Sequence, residues 1–155
     1  PEVLIADELV SALDVSVQAQ VVNLLLELQE RLNLTILFVA HDLRLVRHVS
    51  NRVAVIYLGR IVEIGDSETL FSSPTHPYSQ ALLSAAPSLD PDVRGNAIRL
   101  QGELPSPLNV PPGCPFHVRC RHATALCKTK VPPLRPLPGR GEAACHHAEE
   151  IIENA

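Results

Sequence analysis

Two adjacent carboxylates, Asp7 and Glu8, directly follow the apolar run Val3–Ala6. An apolar run that ends in acids is typical of a buried strand with charge at its carboxyl end, where open α/β sheets place their ligands. An Asp there can hold Mg²⁺ through water, and a neighbouring Glu can orient or deprotonate a water that attacks a γ-phosphate. The pair therefore predicts chemistry on a phosphate and its metal.

A histidine, His41, follows a second short apolar run, Thr35–Ala40. Such a side chain can donate a hydrogen bond to a phosphate while its other edge contacts a base. The 155 residues contain no glycine-rich lysine loop to cradle the phosphates. The chain also has no methionine and opens at Pro1 just before a strand. We therefore expect it to be part of a longer protein that carries the missing loop.

Four cysteines near the carboxyl end form a second candidate site. They are separated by 5, 6 and 17 residues: Cys114, Cys120, Cys127 and Cys145. Clustered thiols in a cytoplasmic chain more often hold a metal or a cluster than disulfides. The spacing lacks the paired CxxC of zinc ribbons and differs from ferredoxin spacings, so it does not name the metal. Four uncoordinated thiols remain the alternative.

The elements that must position the carboxylates and the histidine form a strand, a helix and a second strand. Asp14 and Ser16 are N-cap candidates for the helix, which is predicted to end near Asn33. Its predicted buried face consists of Val21, Leu24, Leu25, Leu28 and Leu32. This crossover pattern favours a parallel sheet covered by helices, with both strands ending on the same side.

The remaining segments are predicted as shorter elements. Asp42–Val49 has a helical pattern, and Arg52–Gly65 alternates around Gly59 as a hairpin does. Two short helical patterns follow, over Glu68–Phe71 and Ser79–Ala85, before a loop-rich tail that holds most of the 14 prolines and all four cysteines. We therefore expect an α/β domain over residues 1–66 and a small cysteine-containing domain over 67–155.

Composition excludes some classes of protein. With 46% hydrophobic and 19% charged residues, the chain is globular, and its net charge of -4 leaves no electrostatic footprint for nucleic acid. No nucleic-acid partner is expected. The apolar stretches are shorter than the roughly 20 residues of a membrane span.

Three motifs resemble those of ABC-type ATPases. "VLIADE" resembles their Walker B strand, "SALD" (Ser11 to Asp14) resembles their D-loop, and "TILFVAHDL" resembles the strand that ends in their switch histidine. The resemblance implies the C-terminal half of a P-loop (RecA-like) ATPase domain that uses ATP and Mg²⁺. It also implies that the Walker A loop, the glutamine loop and the signature motif lie upstream, so that this chain alone does not hydrolyse ATP.

The same resemblance implies a role for each matching residue. Asp7 would associate with Mg²⁺ through water, Glu8 would be the catalytic base, and His41 would sense the γ-phosphate. Ser11 and Asp14 bound the loop that meets the partner subunit at the nucleotide.

The chain departs from the family pattern D-E-P-T-S-A-L-D by carrying Leu9 and Val10 in place of Pro and Thr. The change removes a fixed φ and a hydroxyl, but no catalytic group.

The tail narrows the resemblance to one group of transporters. "LFSSPTHPYSQALLSAAP", Leu70 to Pro87, resembles the segment after the nucleotide-binding domain in ATPase subunits of dipeptide and oligopeptide importers, and "CKTKVPPL" and "ACHH" continue the match. In that group the cysteine set looks like a [4Fe-4S] ligand set, with zinc as the alternative. Pro74, His76, Pro77 and Tyr78 are expected to form a rigid turn without chemistry of their own. The following helix is expected to pack Ala81, Leu82 and Ala85 inward.

The implied function is ATP hydrolysis that powers peptide import. The implied partners are a second ATPase subunit, two membrane permeases and, indirectly, an extracellular or periplasmic peptide-binding protein. The implied location is peripheral, at the cytoplasmic face of the plasma membrane. The alternatives are a non-catalytic regulatory or metal-binding module derived from such an ATPase, and an ABC-type ATPase of DNA maintenance. The second alternative predicts basic surfaces and coiled-coil insertions, which the sequence lacks.

Overall fold

The computed structural model describes residues 1–86 and 97–154. Pro87, the last residue of the importer-like segment, and Ala155 lie outside them. The chain divides into two compact units, Pro1–Ser50 and Asn51–Ala155. The domain boundary after Asp66 stays a prediction, and the compact units divide earlier because the hairpin Arg52–Asp66 shares a sheet with later strands.

The first unit contains a parallel strand pair joined by a long helix. Its elements are β1 (Val3–Asp7), α1 (Val15–Leu32), β2 (Thr35–Val39) and α2 (Leu43–Val49). β1 and β2 pair in parallel, with Asp7 opposite Val39. This arrangement confirms the predicted crossover unit, since parallel neighbours need a long connection between them. It also confirms that both strands end at the same edge.

The ends of α1 follow from its capping residues. The Asp14 carboxylate accepts a hydrogen bond from the Val17 N–H at 3.0 Å. Asn33 ends the helix in the left-handed conformation, with φ 50°, and its N–H donates to the Gln29 carbonyl. Asn tolerates that conformation better than most residues. The predicted start and end of the helix are therefore confirmed, with Asp14 rather than Ser16 as the cap.

Two predictions about burial in the first unit are wrong. β1 and β2 were expected to be buried strands, but Val3, Ile5 and Leu37 are each more than half exposed. Side chains alternate between the two faces of a strand, and here alternate positions such as Ala6 are the buried ones. In α1 the buried residues are Val22 and Leu25, whereas Leu24 and Leu32 of the predicted face are exposed.

The second unit is built on a four-stranded antiparallel sheet. Its elements are β3 (Arg52–Tyr57), β4 (Arg60–Asp66), α3 (Ser67–Ser72), α4 (Pro77–Ser84), α5 (Ala125–Thr129), β5 (Arg135–Leu137), β6 (Gly141–Ala143), α6 (Ala148–Glu153) and a 3₁₀ turn at His117–Arg119. The strand order is β3-β4-β6-β5. The predicted hairpin is confirmed, and its two-residue loop, Leu58–Gly59, has positive φ at both positions, as hairpin turns favour. The last two strands were not predicted.

The helix α4 begins at Pro77 and is capped by the His76 ring, whose Nδ1 accepts the Tyr78 N–H at 3.1 Å. Ala81 is buried and Leu82 half-buried as expected, but Ala85 is exposed because the helix ends before it. Among the described residues, every helix is too short or too polar to span a bilayer.

An aromatic cluster connects the hairpin, α4 and the segment that carries the first cysteine. Phe116 is almost fully buried. The centre of its ring lies 5.2 Å from that of Tyr57, in an edge-to-face arrangement, and 5.5 Å from that of Tyr78. Such ring pairs add stability beyond the area that they bury. The cysteine-bearing segment is thereby anchored to the sheet through Phe116.

Candidate functional site

The carboxyl edge of the β1–β2 pair brings the first candidate residues together. Asp7 lies opposite Val39 at the end of the ladder, and the Glu8 N–H donates to the Val39 carbonyl at 2.9 Å. This hydrogen bond extends the pairing by one residue beyond the strand. As a result, Glu8 and His41, which both follow strand ends, emerge next to each other.

Glu8 and His41 form a contact across the strand ends. The His41 Nδ1 lies 3.6 Å from the Glu8 Oε1, and both side chains remain more than half exposed to solvent. A carboxylate beside an imidazole can share a proton or jointly hold a water. Both side chains line one cleft within the first unit, together with Leu9, Val10, Ser11, Gln18, Phe38, Ala40, Asp42 and Leu45.

Asp7 is the neighbour of this pair but does not line the cleft described above. It is the last residue of β1 and is exposed. Glu8 lies beyond the strand, and its left-handed backbone turns the chain, so its side chain enters the cleft whereas that of Asp7 does not. The structure thus brings Glu8 and His41 together and leaves the Asp7 carboxylate free on the adjoining surface.

A tight turn after Glu8 carries the two residues that depart from the family pattern. Glu8 has a left-handed backbone, with φ 47°, and its carbonyl accepts both the N–H and the hydroxyl of Ser11, at 3.1 and 3.0 Å. Leu9 and Val10 occupy the middle of this turn. Val10 is only 4% exposed, so an apolar side chain suits the position.

The D-loop-like segment is fixed by a polar side chain that sequence reasoning missed. The Gln18 amide nitrogen donates to the Val10 carbonyl at 2.9 Å and to the Leu13 carbonyl at 3.1 Å. Gln18 precedes the buried residues Val22 and Leu25 by four and seven positions, so it lies on the same helix face. A glutamine on an otherwise buried stripe was the signal that could have identified it.

Both helices after the strand ends begin with an aspartate cap. Hydrogen bonds, first from the Ser16 hydroxyl and then from the Val17 N–H, lower the pKa of Asp14. For Asp42, burial raises the pKa, but hydrogen bonds led by the Arg44 N–H outweigh it and lower the pKa overall. Both caps are therefore ionised at neutral pH, which suits a helix N-terminus.

The four cysteines belong to the second unit and are all free thiols. Two backbone contacts organise them: the Cys114 N–H donates to the Cys127 carbonyl at 2.8 Å, and the His147 N–H donates to the Cys145 sulfur at 3.4 Å. Burial raises the pKa of Cys114, of Cys120 and, to about 12, of Cys145, and each is raised further by charge on neighbouring cysteines.

These cysteines do not form a preformed metal centre. Over residues 1–86 and 97–154, no group of three or more His, Cys, Asp or Glu side chains is arranged to hold a metal ion. The predicted [4Fe-4S] or zinc ligand set therefore stays a prediction.

Comparison with known proteins identifies relatives along almost the whole chain. A family described as "Oligopeptide/dipeptide transporter, C-terminal region" matches residues 62–127. The chain is 52% identical over 152 residues to the Di/tripeptide transport ATP-binding protein DppF of Pseudomonas aeruginosa, covering 98% of this chain and 47% of the relative. It is 54% identical over 140 residues to the Dipeptide transport ATP-binding protein DppF of Escherichia coli, covering 90% and 42%. The chain thus spans about half the length of the curated relatives it matches.

Proposed function

Because the chain belongs to the family of peptide ABC transporter ATP-binding proteins, we propose that it is part of the ATP-hydrolysing subunit of an importer for dipeptides or oligopeptides. The observation that carries this proposal is the contact between Glu8 and His41, at 3.6 Å, at the carboxyl edge of a parallel strand pair. Open α/β sheets bind ligands at this edge.

The proposed chemistry assigns one role to each residue at the edge. Glu8 orients the attacking water and accepts its proton, since its carboxylate is exposed to the cleft and borders the imidazole. His41 donates a hydrogen bond to the γ-phosphate from the nitrogen that does not contact Glu8. Positioning and charge stabilisation of this kind account for most of the catalysis of phosphoryl transfer.

The free Asp7 carboxylate fits a Mg²⁺ site, because it is an exposed, hard oxygen ligand one residue from Glu8. When bound, Mg²⁺ would neutralise charge on the phosphate oxygens. We assign Asp7 to hold it through water. Ser11 and Asp14 bound the loop that faces the second ATPase subunit, where they contribute to the shared nucleotide site.

The full transporter would contain more than this chain. We assign a second ATPase subunit, two membrane permeases and a peptide-binding protein outside the membrane as its partners, and the cytoplasmic face of the membrane as its location. The support is the similarity to relatives that are named as ATP-binding proteins of peptide transport. Because the 155 residues contain no phosphate-binding lysine loop, they alone would not hydrolyse ATP.

For the four cysteines, we propose a thiolate-bound group, a [4Fe-4S] cluster or zinc. Support comes from their donor chemistry, since four thiolates suit either group, and from the Cys114 N–H that donates to the Cys127 carbonyl at 2.8 Å. Against it stands the lack of a preformed centre in the described residues. Iron, sulfide and zinc analysis of anaerobically purified protein tests the proposal, which fails if all three are absent.

The experiment that tests the main proposal measures ATP turnover by the full-length protein with its permeases in proteoliposomes. We expect peptide-stimulated turnover that Glu8→Gln lowers at least about 100-fold. Glu30→Gln, the same change at an exposed position of α1, serves as the matched control. Wild-type protein without turnover would instead favour the regulatory module.

A further inference from the structure

The segment from Val10 to Leu13 lies between the proposed catalytic Glu8 and the helix α1, and it forms a hydrogen-bonded turn. The Leu13 N–H donates to the Val10 carbonyl at 3.2 Å. A single hydrogen bond of this kind holds a turn only weakly, because its net contribution is about 1 kcal/mol. The proposed function requires a fixed position for this loop at the second subunit, so we expect a further interaction to hold it.

The Gln18 side chain supplies that further constraint. Its amide nitrogen donates one hydrogen bond to the Val10 carbonyl, at 2.9 Å, and another to the Leu13 carbonyl, at 3.1 Å. Both ends of the turn are thus tied to the first turn of α1. Because both partners are carbonyl oxygens, only the NH₂ end of the amide satisfies them.

The position of Gln18 on the helix explains how it reaches so far back. Side chains of an α-helix point toward its N-terminus, so a residue in the first turn covers the segment that precedes the helix. Gln18 is half-buried and lines the same cleft as Glu8 and His41. It therefore links the helix to the turn, beside the proposed catalytic pair.

We propose that Gln18 is a positioning residue that holds the segment Ser11–Asp14 in the geometry required for ATP hydrolysis between two subunits. This inference rests on the proposed function, since it needs a reaction for the segment to serve. Gln18 itself touches no reacting atom. Its contribution is to the rate of the hydrolytic step and not to the affinity of one subunit for ATP.

Two variants of Gln18 separate its hydrogen bonds from its bulk. Gln18→Glu keeps the shape of the side chain but replaces the amide by a carboxylate. A carboxylate donates no hydrogen bond and repels the two carbonyl oxygens. Gln18→Asn keeps the amide but is one methylene shorter, so it cannot reach both carbonyls. The matched control is Gln20→Glu, which makes the same chemical change at an exposed position of the same helix.

The experiment measures kcat, ATP affinity and melting temperature of the full-length protein assembled with its permeases. We expect Gln18→Glu to lower kcat about tenfold or more while the Kd for ATP stays within about twofold, since misplacement of a catalytic loop acts on the chemical step. Gln18→Asn should lose kcat to a comparable degree, and Gln20→Glu should match the wild type. If Gln18→Glu fails to fold, Gln18→Asn decides the question.

The outcomes distinguish this inference from the proposed function. If the wild type turns over ATP and Glu8→Gln abolishes it, but both Gln18 variants match Gln20→Glu in kcat, the positioning role is overturned and the function stands. A fall in ATP affinity equal to the fall in kcat/KM, with kcat unchanged, would also overturn it. If Glu8→Gln is as active as the wild type, the proposed function fails and the inference fails with it.

Discussion

The buried carboxylate of Glu63 accepts the backbone N–H of His76 at 2.9 Å. Its second oxygen accepts the N–H of Thr75 at 2.7 Å, and the side chain as a whole is 1% exposed. Burial raises the pKa of Glu63, although hydrogen bonds and the Arg140 charge oppose that rise. One strand residue thereby fixes the turn that starts α4.

Replacing Glu63 by Ala should destabilise the protein strongly. The change leaves two buried backbone N–H groups without an acceptor, and each unpaired group costs about 1–3 kcal/mol, so we expect a loss of about 2–6 kcal/mol. Urea unfolding monitored by tyrosine fluorescence measures it, since Tyr57 and Tyr78 lie in this unit. Glu68→Ala, on the exposed side of α3, should change the unfolding free energy by less than about 0.5 kcal/mol.

The buried imidazole of His76 predicts a specific loss of stability in mild acid. Burial lowers its pKa from 6.5 to about 4. Between these two pH values the unfolded chain binds a proton at His76 and the folded chain does not. The free energy of unfolding therefore has its full value above pH 6.5 and falls as the pH decreases toward 4. From about pH 7 to pH 5 the loss should approach about 2 kcal/mol.

His76→Asn isolates this effect, because Asn caps a helix but does not titrate. The raised pKa of Glu63 acts in the opposite direction. The folded protein binds the Glu63 proton more tightly than the unfolded chain does, so this contribution to the free energy of unfolding decreases as the pH rises. Both proteins retain Glu63, so the difference between them reports His76 alone. Equal pH slopes for the wild type and His76→Asn would contradict the assignment.

His41 should be required for turnover but not for folding. Its ring is exposed and contacts Glu8 at the strand edge, so His41→Ala removes no core packing. In the full-length transporter we expect kcat to fall about 100-fold, within the usual range for a proton-transfer or phosphate-contacting group. His48→Ala, at an exposed position of α2, is the control. Similar kcat values for the two variants would exclude the role proposed for His41.

Sequence patterns predicted the parts of this protein that local chemistry determines. The crossover unit follows from apolar runs around a capped helix, and the proximity of Glu8 and His41 follows from parallel strand ends. The buried face of α1 was misplaced because leucines lie on several sides of the helix, and the pattern does not show which leucine packs. Gln18 stands out in the sequence only as a glutamine on a buried helix face, and its partners could not be predicted because they are backbone carbonyls.

The second unit was harder to predict for a related reason. β5 and β6 are three residues long, too short for an alternation to be recognised, and they exist because they pair with each other and with β4. The Glu63 contact joins residues 12 and 13 positions apart across a turn. Interactions of that kind depend on tertiary structure rather than on local propensity.

Two glycines in the last hairpin give a matched test of how closely its backbones approach. Gly139 and Gly141 both have positive φ, 69° and 88°, so either Ala substitution carries conformational strain of about 1 kcal/mol. A Cβ on Gly139 would meet nothing within 4 Å. A Cβ on Gly141 would meet the Ile64 carbonyl oxygen at 2.4 Å and the Gly65 Cα at 2.8 Å, which forces β4 and β6 apart.

Gly141→Ala should therefore destabilise the protein by at least about 2 kcal/mol more than Gly139→Ala. Urea unfolding gives the difference in free energy, and amide hydrogen exchange of Ala143 and Ala144 reports whether the β4–β6 pairing opens. Faster exchange at Ala144, whose N–H donates to the Val62 carbonyl at 2.8 Å, is expected only for Gly141→Ala. Equal destabilisation by the two substitutions would mean that backbone strain, and not the close contact between strands, explains the glycine at position 141.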